Sequence, residues 1–313
     1  MNDMRGNDKF LTVLAIFLRL GLTSFGGPVA HLGYFHDEFV KRRRWLDEDA
    51  YADLVALCQF LPGPASSQVG FAIGLRRSGV PGGIAAWIGF TLPSAVLMIA
   101  FALGIASFTD LASLGWVTGL KVAAVAVVAQ AVWGMAVTLC PDLLRRLLAI
   151  VVAIGISLAP SPLTQVGAII LGGIMGFFVW RRRSLVPVGG HLGFNPPRWM
   201  SWSAILLFFL LLFGLPILGT MTDHEPLVVF DGFYRSGSLV FGGGHVLLPL
   251  LQAEVVPPGW VDKDVFLAGY GAAQALPGPL FAFAAYLGGV MSAAPGGVLG
   301  GMLCLVAIFL PSV

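Results

Sequence analysis

Long apolar segments, separated by short polar connections, make up most of the chain. The segments 84–106, 115–139 and 202–219 approach or exceed the roughly 20 residues that a helix needs to span a bilayer. The shorter segments 50–61 and 65–75 are joined by Pro-Gly-Pro and predict a helical hairpin that does not fully cross. The pattern predicts an all-α integral membrane protein, a polytopic helical bundle with broken helices and re-entrant hairpins.

The order of the remaining segments adds to this topology. Basic residues flank segment 10–34 at both ends, so it should enter and return, or break near Gly26-Gly27-Pro28. The segments 147–159 and 163–180 predict an outward and a returning helix. Segment 202–219 has no counterpart in the first half of the chain and predicts a single linking transmembrane helix.

Composition supports placement in a membrane. Charged residues make up 11% of the 313 residues, hydrophobic residues 57%, and the mean hydropathy is +0.88. A soluble domain carries roughly 25% charged residues, so this chain lacks the polar surface that water requires. A net charge of +2 does not indicate nucleic-acid binding. The three cysteines are far apart with no paired spacing, and we expect neither a metal nor a cofactor.

The chain also repeats itself. Six residues of the first half recur 216 positions later, and the pattern Gln-x-Leu-Pro-Gly-Pro at 59–64 recurs 215 positions later, at 274–279. The six pairs are Phe17 and Phe233, Arg19 and Arg235, Gly21 and Gly237, Phe25 and Phe241, Gly26 and Gly242, and Gly27 and Gly243. Two related apolar halves broken by Gly and Pro at matching places are typical of secondary transporters with a site between the repeats.

The charges of equivalent loops predict that the repeats are inverted. Loop 36–49 carries four consecutive basic residues, whereas loop 252–264 has one lysine against three acidic residues. Opposite charge bias in equivalent loops is expected when one repeat lies upside down relative to the other. We predict an N-terminal repeat at 1–190, a linker with one transmembrane helix at 191–225, and a C-terminal repeat at 226–313. The second copy stops where the first continues, which predicts an incomplete repeat from a fragment or truncated reading frame.

The interruptions at residues 26–28, 62–64, 242–244 and 277–279 are candidate anion sites. In lipid, a broken helix is tolerated only where protein or water satisfies the freed backbone groups. Each break also exposes a helix N-terminus, whose N–H groups and partial positive charge favour anions. A packing kink is the alternative for any single break.

Arg19 and Arg235 precede equivalent breaks and are candidate ligands for an oxyanion. A charge inside a membrane segment costs at least about 2.5 kcal/mol, and guanidinium groups bind planar oxyanion edges with two hydrogen bonds. The alternatives are snorkelling to the interface, or a structural pair with Glu38 or Glu254.

Other polar and glycine residues near the breaks complete the predicted site. The substrate-binding candidates are Ser24, Gly26, Gly27, Gln59, Gly63, Ser66, Ser67, Gln68, Gly242, Gly243, Gln274 and Gly278. Interhelical hydrogen bonding is the alternative role for the serines and glutamines. His31, His245, Glu38 and Glu254 are the proton-coupling candidates, with structural or interface roles as their alternatives.

Several exact runs resemble the chromate ion transporter family. They are GLTSFGGPVAH at 21–31, GYF at 33–35, RRRW at 42–45, YADLVALCQFLPGPASSQVG at 51–70, GFTLPSA at 89–95, VFGGGH at 240–245 and QALPGP at 274–279. The resemblance implies a multi-pass protein of the bacterial inner membrane with homologous halves. It further implies proton-driven export of chromate from the cytoplasm, with sulfate as competitor or counter-ion.

The leading hypothesis is therefore secondary active transport of chromate, with lipid and small anions as partners and a homodimer left open. Transport of sulfate or another oxyanion, or a passive anion channel, are the alternatives. An intramembrane enzyme such as a chromate reductase would need a redox cofactor or paired thiols that the sequence does not display, so we predict that the chain is not an enzyme.

Overall fold

The structure is a computed structural model that describes residues 10–107, 140–159, 162–180, 197–222, 224–240 and 247–312, with single or paired helical positions between 115 and 137. No β-strand occurs within these ranges. The helices are α1 (Phe10–Thr23), α2 (Gly27–Phe35), α3 (Glu48–Phe60), α4 (Ala65–Ser107), α5 (Leu143–Leu158), α6 (Pro162–Trp180), α7 (Arg198–Thr222), α8 (Glu225–Ser238), α9 (Leu247–Val255), α10 (Lys263–Ala275), α11 (Phe283–Val290) and α12 (Gly297–Phe309). A π-helical turn, His36–Arg42, continues α2, and 3₁₀ turns occupy Leu280–Ala282 and Leu310–Ser312.

The all-helical prediction is confirmed, and most predicted segments coincide with helices. The outward and returning segments near 147–180 are α5 and α6, and the linking segment is α7. Segment 115–139 lies largely outside the described residues. Two of the described helices, Ala65–Ile105 and Arg198–Thr222, are long and apolar enough to cross a membrane by length and composition. The inverted orientation of the repeats and the re-entrant character of the hairpins stay predictions.

Helix breaks lie where glycine and proline interrupt the sequence. Three residues separate the end of α1 at Thr23 from the start of α2 at Gly27, and α3 and α4 are separated by the turn 61–64. Within α4, Ser78 and Gly79 leave helical geometry and divide the helix into a first arm, 65–77, and a second arm, 80–107. A Cβ atom on Gly74 would collide with the carbonyl oxygen of Gly82, so the two arms lie directly against each other.

The same succession of elements occurs in both halves of the sequence repeat. Helices α1, α2 and α3 correspond to α8, α9 and α10, and the two arms of α4 correspond to α11 and α12. Equivalent residues start the third helix in each half. Asp47 accepts a hydrogen bond from the Ala50 N–H at 2.7 Å, and Asp262 accepts one from the Asp264 N–H at 2.8 Å. Each carboxylate satisfies a helix-terminal N–H that would otherwise lack a partner.

Helix α4 joins the two halves, because it packs against α1 and α2 as well as against α10, α11 and α12. The ring of Phe101 stacks on Tyr286 with centroids 5.5 Å apart, and Trp87 meets the edge of Phe309 at 5.8 Å. All of these residues belong to one compact unit, Met1–Val125 with Gly190–Val313, whereas α5 and α6 form a second unit within Ala126–Gly189.

Glycine permits a close helix contact at the same repeat position in each half. A Cβ on Gly21 of α1 would lie 2.6 Å from the carbonyl oxygen of Phe90 in α4. At the equivalent position in α8, a Cβ on Gly237 would collide with the carbonyl oxygen of Ile308 in α12. Small residues let membrane helices approach backbone to backbone, and here both repeats use the same position for this approach.

We predict that Gly21→Ala destabilises the protein, because the added methyl group forces α1 away from the backbone of α4. Overpacking of this kind costs roughly 1–3 kcal/mol, seen as a lower melting temperature of the detergent-solubilised protein. Gly33→Ala is the matched control, since a Cβ on Gly33 of α2 meets nothing within 4 Å. Equal melting temperatures for the two variants would contradict the close packing of α1 on α4.

Candidate functional site

Two backbone hydrogen bonds connect the breaks of the two halves reciprocally. The N–H of Gly63 donates to the carbonyl oxygen of Val240 at 2.8 Å, and the N–H of Gly278 donates to that of Ser24 at 2.9 Å. Gly63 and Gly278 are equivalent in the repeat, as are Ser24 and Val240. Each Pro-Gly-Pro turn therefore satisfies the end of the opposite half's first helix, so each turn of one half contacts a break of the other. We call these two contacts together the meeting point of the breaks.

The geometry of these turns requires glycine. Gly63 has φ of 119° and Gly278 has φ of 98°, a region that residues with a Cβ rarely adopt. A Cβ on Gly63 would also lie 2.9 Å from the Cβ of Ser312, and one on Gly278 would lie 2.8 Å from the hydroxyl of Ser94. Ser94 and Ser312 are themselves equivalent, so the reciprocal arrangement extends to a second pair of residues.

Buried polar side chains of the first half surround its breaks. The hydroxyl groups of Ser24 and Ser67, and the side-chain oxygen of Gln68, are buried without a hydrogen-bond partner. The Nε2 of Gln68 donates to the Pro62 carbonyl at 2.7 Å, which holds the amide beside the turn 62–64. Buried polar groups without partners are rare in proteins, so this concentration is compatible with a polar ligand.

His31 belongs to the same group. Its ring is fully buried, has no hydrogen-bond partner on either nitrogen, and meets the edge of Phe90 with centroids 5.2 Å apart. Helix α2 thus presents a polar ring near the start of the helix, four residues after the Gly27 that begins it.

The second half lacks equivalent side chains. Ser66, Ser67 and Gln68, in the first turn of α4, correspond to Phe281, Ala282 and Phe283. Those three are buried, and the first two lie in a 3₁₀ turn rather than at an α-helix N-terminus. Among the described residues, the buried polar groups without partners at the meeting point therefore come from the first half. The second half contributes backbone, apolar surface and Ser312, whose hydroxyl already donates to the Phe309 carbonyl.

The remaining predicted residues lie in different surroundings. Gln59 is exposed at the end of α3, and Gln274 donates to the Tyr270 hydroxyl at 2.7 Å within α10. Gly26 and Gly27 form the left-handed entry to α2, with φ of 96° and 75°. Three predicted residues, Gly242, Gly243 and His245, fall outside the described part of the chain.

Arg19 lies in a cluster centred on a carboxylate. Glu38 is only 5% exposed, and its oxygens contact Arg19 at 2.6 Å, Arg42 at 3.1 Å and Arg43 at 2.6 Å. Burial raises the pKa of Glu38, but hydrogen bonds and charge from the surrounding arginines outweigh it and leave the pKa below its usual value. A carboxylate held in this way stays ionised near neutral pH, which weakens Glu38 as a proton carrier.

Arg235 forms the equivalent ion pair in the second half, but here one arginine faces two carboxylates, whereas Glu38 faces three arginines. One guanidinium nitrogen of Arg235 contacts Glu254 at 3.1 Å and Asp231 at 3.3 Å. The positions of Arg42 and Arg43 are taken here by Pro258 and Gly259. Both arginines thus form the ion pairs, with Glu38 and Glu254, that were the structural alternative to substrate binding. Their role in substrate binding stays a prediction.

Sequence reasoning missed Asp231, which has no acidic counterpart because Ala15 occupies the equivalent position. It stands out in the sequence as an acidic residue inside an otherwise apolar segment, four residues before Arg235. Comparing the repeats for differences as well as matches would have singled it out.

Open grooves in the structure lie on the charged flank of the first half. One, of about 420 Å³, is lined by Leu11, Thr12, Ala15, Ile16, Arg19 and Arg43. Another, of about 670 Å³, is lined by residues of segment 40–48 and by Arg76. Arg19 therefore faces a surface groove. The described residues contain no group of three or more His, Cys, Asp or Glu side chains arranged to hold a metal ion.

Comparison with known proteins places these features in a family. The sequence profile described as chromate transporter matches residues 11–177 and 227–313. The chromate transport protein of Pseudomonas aeruginosa is 28% identical over 96% of this chain and 70% of its own length. That of Cupriavidus metallidurans is 26% identical over 94% of this chain and 70% of its own length. An uncharacterised transporter of Methanocaldococcus jannaschii is 26% identical over 99% of this chain and 75% of its own length. No solved structure matches.

We predict that Glu38→Gln destabilises the protein at neutral pH by roughly 1–3 kcal/mol, because three arginines lose their shared partner. The lowered pKa of Glu38 gives stability that is present above its unfolded pKa of about 4.3 and is lost as the pH falls through its folded value. The melting temperature of the wild type should therefore fall as the pH drops below about 4.3, and the variant should show less of this dependence. Asp37→Asn, which removes an exposed partner of Lys41, is the control and should change little. An unchanged pH profile in the Glu38 variant would contradict the cluster.

Proposed function

The chain belongs to the chromate transporter family, a family of membrane proteins, and from this premise we propose that it is a secondary active transporter that exports chromate from the cytoplasm. We place it in the bacterial inner membrane as a multi-pass protein, with the proton-motive force as its energy source. The dianion binds where the helix breaks of the two halves meet.

The reciprocal hydrogen bonds between the breaks carry this proposal. The N–H of Gly63 bonds to Val240 and that of Gly278 bonds to Ser24, so the first helix of each half ends against a turn of the other half. Irregular backbone at membrane depth is tolerated where it is buried in protein or lines a cavity, and transporter sites are typically formed by such discontinuous helices. A site between repeats is also the place that changes access when one repeat moves against the other.

The chemistry of the meeting point suits an oxyanion. The first turn of α4 offers backbone N–H groups and the positive end of the helix dipole, which stabilise negative charge. The unpartnered hydroxyls of Ser67, in the first turn of α4, and of Ser24, at the end of α1, can donate to anion oxygens, as can the second N–H of the Gln68 amide. Such donors bind a tetrahedral anion without any metal ion.

Arg19 and Arg235 act on the anion at a longer range in this proposal. Each is held by a glutamate 19 residues further along the chain. The charges of both arginines make the electrostatic potential along the transport path more favourable for an anion. The cationic groove beside Arg19 and Arg43 attracts the dianion from the cytoplasmic side. Under the predicted inverted topology, the acidic cluster around Arg235 lies toward the opposite side of the membrane and disfavours rebinding of the released anion.

Sulfate is the alternative cargo, because chromate and sulfate have the same charge and shape and the donors described above bind both. A passive channel is the alternative mechanism. Competition of labelled sulfate uptake by chromate in inside-out vesicles tests the first alternative. Collapse of the proton gradient tests the second, since accumulation against a concentration gradient stops in a coupled transporter and never arises in a channel.

We predict that the double variant Ser24→Ala and Ser67→Ala transports chromate with a half-saturating concentration at least tenfold higher than that of the wild type. Each hydrogen bond to a charged ligand contributes about 1.5–3 kcal/mol, and both hydroxyls lack protein partners. For the same reason, melting temperature and abundance in the membrane should not fall. The measurement is chromate uptake into inside-out vesicles.

The matched control is Ser238→Ala, which removes a buried hydroxyl that already donates to the Tyr234 carbonyl at 2.8 Å. It should transport like the wild type. If the double variant has the same half-saturating chromate concentration as the wild type, the meeting point of the breaks does not lie on the transport path.

A further inference from the structure

Asp231 combines burial with an unsatisfied oxygen. Its side chain is 9% exposed, its Oδ2 lies 3.3 Å from Arg235, and its Oδ1 has no hydrogen-bond partner. A buried ionised carboxylate with a free oxygen is costly, and the cost falls when the carboxylate takes up a proton. Asp231 therefore lies in surroundings where both protonation states are accessible.

Arg235 is shared between two carboxylates. The same Nη2 atom contacts Asp231 of α8 and Glu254 of α9, so one positive charge faces two negative charges. A Cβ on Gly232 would lie 2.5 Å from the Oε1 of Glu254, which shows how closely the Glu254 side chain approaches α8. The carboxylate surplus in this cluster favours uptake of one proton.

The equivalent cluster of the first half has no such surplus. Ala15 stands in place of Asp231, and Glu38 is surrounded by three arginines. Within the described chain, this difference distinguishes the two otherwise matching pairs. Of the two equivalent arginine–glutamate pairs, therefore, the pair in the second half is the one suited to reversible protonation.

Other ionisable groups near Asp231 are few in the described residues. Helix α9 contributes Glu254, and α8 itself contributes Arg235 and Tyr234, whose hydroxyl donates to the Phe208 carbonyl at 3.1 Å. Helix α7 carries Arg198 ten residues before Phe208, about 15 Å along the helix. The only ionisable side chain of helix α12 is that of Cys304, and the turn Leu310–Ser312 has no charged side chain.

We propose that Asp231, in contact with Arg235, which is shared with Glu254, takes up and releases the proton that is coupled to anion movement. The inference rests on the proposed function and specifies its energy-coupling site. A proton added to a carboxylate oxygen of Asp231 leaves Arg235 paired with Glu254 alone. Because Arg235 bridges α8 and α9, protonation of Asp231 changes the link between these two helices.

The test compares two activities of Asp231→Asn in inside-out vesicles. One is chromate accumulation driven by an imposed pH gradient, and the other is exchange of labelled for unlabelled chromate without a gradient. Exchange requires no net proton movement, so the variant should keep it within about threefold while losing at least tenfold of gradient-driven accumulation. Asp262→Asn is the matched control, because asparagine caps a helix as well as aspartate does, and it should retain both activities.

Each outcome decides the proposal. Gradient-driven accumulation by Asp231→Asn equal to that of the wild type overturns it while leaving the proposed transport function intact. Loss of exchange together with accumulation also overturns it, because Asp231 would then have a structural or substrate-binding role. Absence of gradient-driven accumulation in the wild type itself would reject the proton coupling of the proposed function, and the inference with it.

Glu254→Gln provides a second test if Asp231→Asn does not reach the membrane. Because this variant removes the carboxylate of Glu254, Arg235 has Asp231 as its one remaining acidic partner among the described residues, which stabilises the ionised form of Asp231. The pH dependence of accumulation should therefore move toward a more acidic vesicle lumen, and an unshifted profile overturns the proposal.

Discussion

The structure depends on how a membrane protein satisfies backbone groups where its helices are interrupted. Lipid offers no hydrogen bonds, so every break must find partners within the protein. Here each Pro-Gly-Pro turn donates to the carbonyl that ends the first helix of the other half, through Gly63 to Val240 and Gly278 to Ser24. The halves thereby complete each other, and the requirement that permits the breaks also brings each Pro-Gly-Pro turn against a break of the opposite half.

The two halves use one backbone arrangement for different chemistry. Glycine contacts, helix caps and arginine–glutamate pairs recur at equivalent positions, whereas the side chains around them differ. The first half has hydroxyl and amide groups at the start of α4, where the second has Phe281 and its apolar neighbours. The second half instead has Asp231, where the first has Ala15. In our proposal this divergence separates anion binding from proton binding while conserving the frame that links them.

Sequence alone predicted the helices, the breaks and the pairing of repeats, because Gly and Pro act locally and recur in register. It also identified Arg19 and Glu38 separately, and named their ion pair as one alternative. It did not indicate that Arg42 and Arg43 join the same carboxylate, since that contact depends on the π-helical turn after α2. The lone Asp231 was likewise missed, because its burial and free oxygen arise only from the packing of α8.

The most direct test of the central claim is an experimental structure with bound chromate, in which anomalous scattering from chromium locates the anion. Our account predicts one strong peak where the breaks meet, within hydrogen-bonding distance of Ser24, Ser67 or Gln68. A peak confined to the groove beside Arg19 and Arg43, with none at the meeting point, would contradict it.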